Sequence, residues 1–188
     1  MEEPMTTSAH RWTLFLDRDG TLIHDPGYLK DPQQVRLLPG VGRALAQLQQ
    51  QGCYLVLVSN QSGIGRGLIT EDEALQVHRQ VLACLTRYGV RLDATYYCTH
   101  RPVEACTCRK PMPGMLLRAA MEHHIDLTRA FMIGDKPSDI VAGIRAGCQT
   151  IWLTTRSNPE LCDPKPGGTA SNWHEVVQAL KRQVSATG

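Results

Sequence analysis

Short apolar runs alternate along the chain with amphipathic stretches. Trp12 to Leu16, Tyr54 to Val58, Ala94 to Tyr97, Ala130 to Ile133 and Thr150 to Leu153 are brief and apolar, as buried strands are. The segments between them carry helical spacing. Residues 39 to 51 place Val41, Leu45 and Leu48 on one face and stop at Gly52. Thr70 and Glu73 form the S/T-x-x-E signature of a capping box, opening a helix that runs to about Tyr88 with Val77, Val81, Cys84 and Tyr88 as its buried stripe. Residues 114 to 124 read as a helix, Ile140 to Ala146 as another closed by Gly147, and Trp173 to Val184 as the last. The Pro/Gly-rich stretch from Asn158 to Thr169 reads as a loop. Repeated strand–helix alternation predicts an α/β fold, a doubly wound parallel sheet covered on both faces. Ligands of such sheets sit at the carboxyl ends of the strands.

Composition narrows the class. The chain has 188 residues, 42% of them hydrophobic, which suits one globular domain spanning residues 1 to 188. A net charge of +2 and the lack of a basic, aromatic-laced stretch argue against a nucleic-acid partner. Seven cysteines, an odd count, with no apolar leader point to a reducing, cytoplasmic location rather than a disulfide framework. Cys53 and Cys84 adjoin apolar runs and read as core; Cys162 falls in a polar loop. No window approaches the roughly 18 apolar residues of a membrane span.

Four polar elements follow the apolar runs. The first is Asp17-Arg18-Asp19-Gly20-Thr21. Carboxylates two apart at a strand end can face the same way, with Arg18 pointing elsewhere. One can attack an electrophile while the other moves a proton, and together they can help hold a hard cation such as Mg2+. The second, Ser59-Asn60-Gln61-Ser62-Gly63, offers a hydroxyl and amides to phosphate oxygens, with Arg66 adding a cation. The third is the cation pair Arg109-Lys110 before Pro111. The fourth, Gly134-Asp135-Lys136-Pro137-Ser138-Asp139, brings a further carboxylate for a cation and a lysine beside it. Singly, each has an ordinary reading as a surface acidic pair, a polar loop or a solvated lysine. All four fall where a parallel sheet places its ligand.

Between the second and third elements lie Cys98-Thr99-His100 and Cys106-Thr107-Cys108. Cys98, His100, Cys106 and Cys108 make a complete Cys3His set for a closed, structural Zn2+ site. The loop from 98 to 108 ends against Arg109 and Lys110, so it is expected to fix their position and wall the site. Asp25, Gly27 and Tyr28 are candidates for the opposite wall. His123-His124 reads as a solvated pair, and Met112 and Met115 as packing.

The order acid pair, Ser/Asn, Lys, acid over residues 12 to 153 resembles the haloacid dehalogenase-type phosphohydrolases. The resemblance implies a capless, Rossmannoid domain with an inserted zinc loop. It implies Asp17 as nucleophile, Asp19 as general acid/base, Ser59 and Lys110 on the transferring phosphoryl group, and Asp17, Asp19 and Asp135 around a catalytic Mg2+. Substrate contacts are then expected from Asp25, Gly27, Tyr28, Asn60, Gln61, Ser62, Arg109 and Lys136. Among zinc-loop members, His24 to Tyr28, Val35 to Val41, Ser59 to Gly67 and Cys108 to Pro111 look most like the enzymes that remove the 7-phosphate of D-glycero-D-manno-heptose 1,7-bisphosphate for lipopolysaccharide or related glycans. The other group, histidinol-phosphate phosphatases, tends to read N-Q-D-G where this chain has Asn60-Gln61-Ser62-Gly63. The rival of another class is a zinc-stabilised binding module without activity. The expected form is a monomer acting on a small sugar bisphosphate, with neither nucleic acid nor membrane as partner.

Overall fold

The computed structural model describes residues 12–154 and 163–186. Its frame is a six-stranded, wholly parallel sheet in the order β3-β2-β1-β4-β5-β6. The strands are β1 (Trp12–Leu16), β2 (Cys53–Asn60), β3 (Ala94–Cys98), β4 (Ala130–Gly134), β5 (Gln149–Leu153) and β6 (Gly168–Ala170). The helices are α1 (Val41–Gln50), a single turn α2 (Ser62–Gly65), α3 (Glu71–Thr86), α4 (Gly114–His123), α5 (Pro137–Ala146) and α6 (Trp173–Ala186). Strand alternation divides the core in two. Leu14, Leu16, Leu55, Leu57, Phe131 and Ile133 face α1, α3 and α6, whereas Phe15, Val56, Val58 and Met132 face α4 and α5. Because β1 pairs with β2 on one side and β4 on the other, the strand order reverses at β1. Leu16 lies opposite both Leu57 and Ile133. A crevice opens beyond strand ends at such a switch point.

Local chemistry explains the boundaries. Thr70 and Glu73 close the expected capping box on α3. The buried stripe of that helix is Val77, Val81 and Leu85; Cys84 is half-buried, and Tyr88 lies past the helix end. Tyr88 instead packs on Gly42, where a Cβ would stand 2.3 Å from its ring. Helix α5 starts at Pro137, three residues before the expected Ile140, because proline suits a first helical turn and the Asp139 carboxylate caps the Lys136 amide. Strand β6 falls inside the stretch expected to be loop; three residues on a sheet edge carry no readable period. The turn α2 was likewise too short to read. Met115 is core, whereas Met112 is exposed. The His123 ring accepts or donates at Tyr54 Oη (3.0 Å), so only His124 of that pair is exposed. Cys162 lies outside the described residues. No described helix is long and apolar enough to cross a membrane. Between β1 and α1 the described residues hold one short 3-10 turn, and between β2 and α3 only the single turn α2, so neither place carries an inserted domain.

Candidate active site

Asp17 follows β1 directly and remains tied to the sheet, its amide donating to the Ile133 carbonyl at 3.0 Å. The chain then turns: the Leu22 and Ile23 amides both donate to the Arg18 carbonyl, at 2.9 and 3.1 Å. Regular strand pairing therefore ends near Asp17. Arg18 does not point elsewhere. It is buried, and its Nε and Nη2 donate to the two oxygens of the Asp19 carboxylate, each at 2.9 Å. Gln61 Nε2 adds a donor to Asp19 at 2.7 Å.

Asp17 finds its partners among residues far along the chain. Lys110 Nζ donates to Asp17 Oδ1 at 2.5 Å, to Asp139 Oδ1 at 2.7 Å and to the Val58 carbonyl at 2.8 Å. Oxygens of Asp17, Asp135 and Asp139 lie within 4.8 Å of one another. The acid cluster is thus completed by Asp139, while the Asp19 carboxylate, expected in it, is engaged by Arg18 and Gln61. Asp139 had been quoted in the fourth element without a role. Its spacing was the available signal: four residues past Asp135, just inside a helix opened by proline, it turns back to the strand end. Two glycines make room for the acids. A Cβ on Gly20 would stand 2.2 Å from Asp135 Oδ2, and one on Gly134 would stand 2.3 Å from Asp139. Gly20 also has φ +85°, a conformation few other residues adopt.

The charges fit a dication. Burial pushes the Asp17 carboxyl up, against the pull of Lys110, and burial with the neighbouring Asp17 charge pushes Asp135 up to about 7. Burial alone would discharge Lys110, but Asp139 and Asp17 outweigh it and raise its pKa. Three acids with one internal ammonium form a cradle of hard oxygen donors suited to Mg2+.

Lys110 is placed by more than its loop. Asn60 Oδ1 accepts from the Lys110 amide at 3.0 Å, and Asn60 Nδ2 donates to the Lys110 carbonyl at 2.9 Å. Asn60, expected to bind substrate, spends its amide on this clamp. Gln61 likewise bridges Asp19 and Ser59, donating to Ser59 Oγ at 2.9 Å. Ser59 itself is buried near the end of β2.

Cys98 at the end of β3 converges with His100, Cys106 and Cys108. The sulfur–sulfur distances are 3.3 to 3.6 Å, and His100 Nδ1 lies 3.5 Å from Cys98 and 3.3 Å from Cys108. Zinc–sulfur bonds of about 2.3 Å place tetrahedral sulfurs about 3.7 Å apart, so the four donors fit that ion. The loop's return is close-packed: a Cβ on Gly114 would stand 2.4 Å from the Thr107 carbonyl.

Beside the acids lies a cavity of about 470 Å³, to which Asp19, Asp25, Gly27, Tyr28, Ser62, Arg109, Lys110 and Lys136 contribute. Its outer wall is strapped down. Lys136 Nζ meets Asp25 at 3.0 Å, the Gly27 amide donates to Asp25, and Arg66 donates to Tyr28 Oη at 3.0 Å. Lys136 is held charged, since Asp25 and Asp135 outweigh its partial burial. Arg109 differs from every other cation here: its Nη1 is buried and has no hydrogen-bond partner. A buried, unpaired donor is costly, and such exceptions call for an explanation.

Residues 107–171 match a family model described as HAD-hydrolase-like. The D-glycero-beta-D-manno-heptose-1,7-bisphosphate 7-phosphatase of Yersinia pestis is 40% identical over 167 residues, 85% of this chain and 87% of the relative. The enzyme of that name from Haemophilus influenzae is 46% identical over 152 residues, 78% of this chain and 83% of the relative. Among solved structures, the D,D-heptose 1,7-bisphosphate phosphatase of B. bronchiseptica, crystallised with magnesium and phosphate, superposes with a TM-score of 0.83 at 30% identity, covering 92% of this chain and 99% of that one. Convergence of the four elements at one switch point, beside a Cys3His loop, agrees with that likeness. This chain belongs to the haloacid dehalogenase-like phosphatases and is a hydrolase of phosphate esters.

Proposed function

We propose that the chain removes the 7-phosphate of D-glycero-D-manno-heptose 1,7-bisphosphate, in a reducing cytoplasm, through a phosphorylated Asp17. The observation that carries the substrate reading is Arg109 Nη1. A buried guanidinium nitrogen without a partner, beside Lys110 and Lys136, suits a second anionic group at a distance from the reacting one. The names of the relatives agree. Asp17 attacks phosphorus, and the sugar oxygen departs with a proton from Asp19. Water then attacks the aspartyl-phosphate, and Asp19 takes the proton from it. Lys110 stays charged between Asp17 and Asp139 and offsets the repulsion between an anionic nucleophile and an anionic ester. Asp17, Asp135 and Asp139 would hold Mg2+, which would supply positive charge against the transferring phosphoryl group. Zn2+ held by Cys98, His100, Cys106 and Cys108 is structural. Ser62, Gly27 and Tyr28 line the space left for the sugar.

Phosphate release from a panel tests the reading: both anomers of the heptose bisphosphate, histidinol phosphate, fructose 1,6-bisphosphate and a nucleotide. The heptose bisphosphate should give the highest kcat/KM. Arg109→Ala should lower the preference for it over a monophosphate while leaving zinc content unchanged. An equal loss on both substrates would remove Arg109 from the reading, and preference for histidinol phosphate would remove the substrate.

A further inference from the structure

Arg18 has no part in the phosphoryl chemistry described above, and Gln61 lines its cavity, yet both also surround its proton donor. Arg18 sits between the two acids of the first element and is 2% exposed. Burying a guanidinium is costly unless its donors are used. Here Nε reaches Asp19 Oδ1, and Nη2 reaches both Asp19 Oδ2 and, at 3.0 Å, Gln61 Oε1. Its Cζ lies over the Tyr97 ring, 5.9 Å from the centroid, and Tyr97 Oη is in turn paired with His78 Nδ1 at 2.8 Å. Gln61 is also buried and spends its amide on three partners: Arg18, Asp19 and Ser59. The two oxygens of Asp19 are therefore unequal. Oδ2 accepts from Arg18 Nη2 and from Gln61 Nε2, which fills both of its lone-pair directions. Oδ1 accepts from Arg18 Nε alone.

We propose that Arg18 and Gln61 are positioning residues that saturate Asp19 Oδ2 and so assign the transferred proton to Oδ1. The fork fixes the carboxylate plane, and the amide fixes which edge stays open. This inference rests on the reading of Asp17 as nucleophile and Asp19 as acid/base. In the first half-reaction the Oδ1–H bond breaks as the carbon-bound ester oxygen takes the proton. In the second, Oδ1 receives a proton from the water that attacks the aspartyl-phosphate. Without Gln61 the carboxylate can rotate about its last bond, and either oxygen can hold the proton in a geometry that misses the ester oxygen.

The experiment separates proton transfer from nucleophilic attack by the choice of leaving group. Gln61→Met keeps the volume and removes all three contacts; Arg18→Lys keeps the charge and removes the fork. Each variant is compared with the parent on an alkyl phosphate that the parent hydrolyses, and on p-nitrophenyl phosphate, whose leaving group departs without a proton. On the alkyl ester kcat should fall by roughly 10-fold to 10²-fold with KM nearly unchanged, as general acid catalysis is lost. On p-nitrophenyl phosphate the first turnover should fall far less than the alkyl reaction does, since this leaving group needs no proton. Steady state should slow, giving a burst of one p-nitrophenolate per chain and an accumulated aspartyl-phosphate. Equal slowing of the burst and of the alkyl reaction would overturn the proposal, since that marks a displaced Asp17. Alkyl turnover within about 2-fold of the parent would overturn it too. Zinc content and thermal midpoint verify folding, and Gln61→Met carries the test if Arg18→Lys does not fold. If the underlying reading itself fails, either the parent traps no phosphate on Asp17 and Asp17→Asn stays active, or Asp19→Asn hydrolyses the alkyl ester at the parent's rate, results distinct from either outcome above.

Discussion

Asp17 and Lys110 touch at 2.5 Å with almost no exposure, but the loss of one is not equivalent to the loss of the other. Asp17→Asn should abolish phosphate release, because an amide is not a nucleophile here. It should cost little stability, since Lys110 keeps Asp139 as a partner. Lys110→Met is expected to do both harms. It leaves two buried carboxylates uncompensated, a loss of about 3–5 kcal/mol by urea unfolding in Mg2+-free buffer. Added Mg2+ should recover part of that stability without recovering activity. A variant as stable as the parent would show that the Lys110 pair contributes nothing net. At this scale the sequence was legible where motif order mattered. Asp17, Lys110 and Asp135 come together, and Ser59 is joined to Asp19 through Gln61. It was illegible where side-chain partners mattered: only the fold shows that Arg18 grips Asp19 and that Asp139 joins Asp17 and Asp135. Asn60 and Gln61 line the cavity as expected, but the pairing of their amides with the Lys110 backbone and with Asp19 is written in no motif.

Two devices hold the segment from Cys98 to Lys110: the Cys3His cluster at one end and the Asn60 clamp at the other. Their contributions are separable. Cys106→Ser should lose the zinc, loosen the loop and reduce kcat/KM, with Arg109 more affected than Lys110 because Asn60 still grips the latter's backbone. Asn60→Ala should keep about one zinc per chain and still lose activity, on the order of 10²-fold if Lys110 shifts by about 1 Å. Metal analysis beside steady-state kinetics distinguishes the two, and zinc loss in Asn60→Ala would show that clamp and cluster fold as one unit. The elements themselves were the most readable level. Five strands and five helices followed from period and capping, whereas β6 and α2 were hidden by their shortness. The stripe of α3 was misjudged at Tyr88 because period alone does not say where a helix stops.

For the whole molecule, the raised pKa of Asp135 ties folding to pH. Its folded value of about 7 lies above the unfolded one, so between pH 4 and 7 the unfolded chain gives up a proton that the native protein retains. Stability of the Mg2+-free protein should therefore decline as pH rises across that window and level off above about 7. Buried Asp17, raised likewise, adds in the same direction. Mg2+ needs these carboxylates ionised, so the rise in thermal midpoint that it produces should be small near pH 5 and largest above 7. A pH-independent Mg2+ shift would disconnect these acids from the metal.

The reversal of strand order at β1 also has a meaning in time. A chain emerging from the ribosome presents β1 first, and β2 and β3 can pair on one flank as they appear. The other flank waits for β4, which begins more than a hundred residues later. Until then the strand that carries Asp17 is an open edge, a template for any extended neighbour. Its acid meanwhile lacks the two carboxylates, Asp135 and Asp139, that later stand beside it. A nascent or truncated chain that stops short of β4 thus has an adhesive strand and no chemistry, and both conditions are resolved by the same few residues.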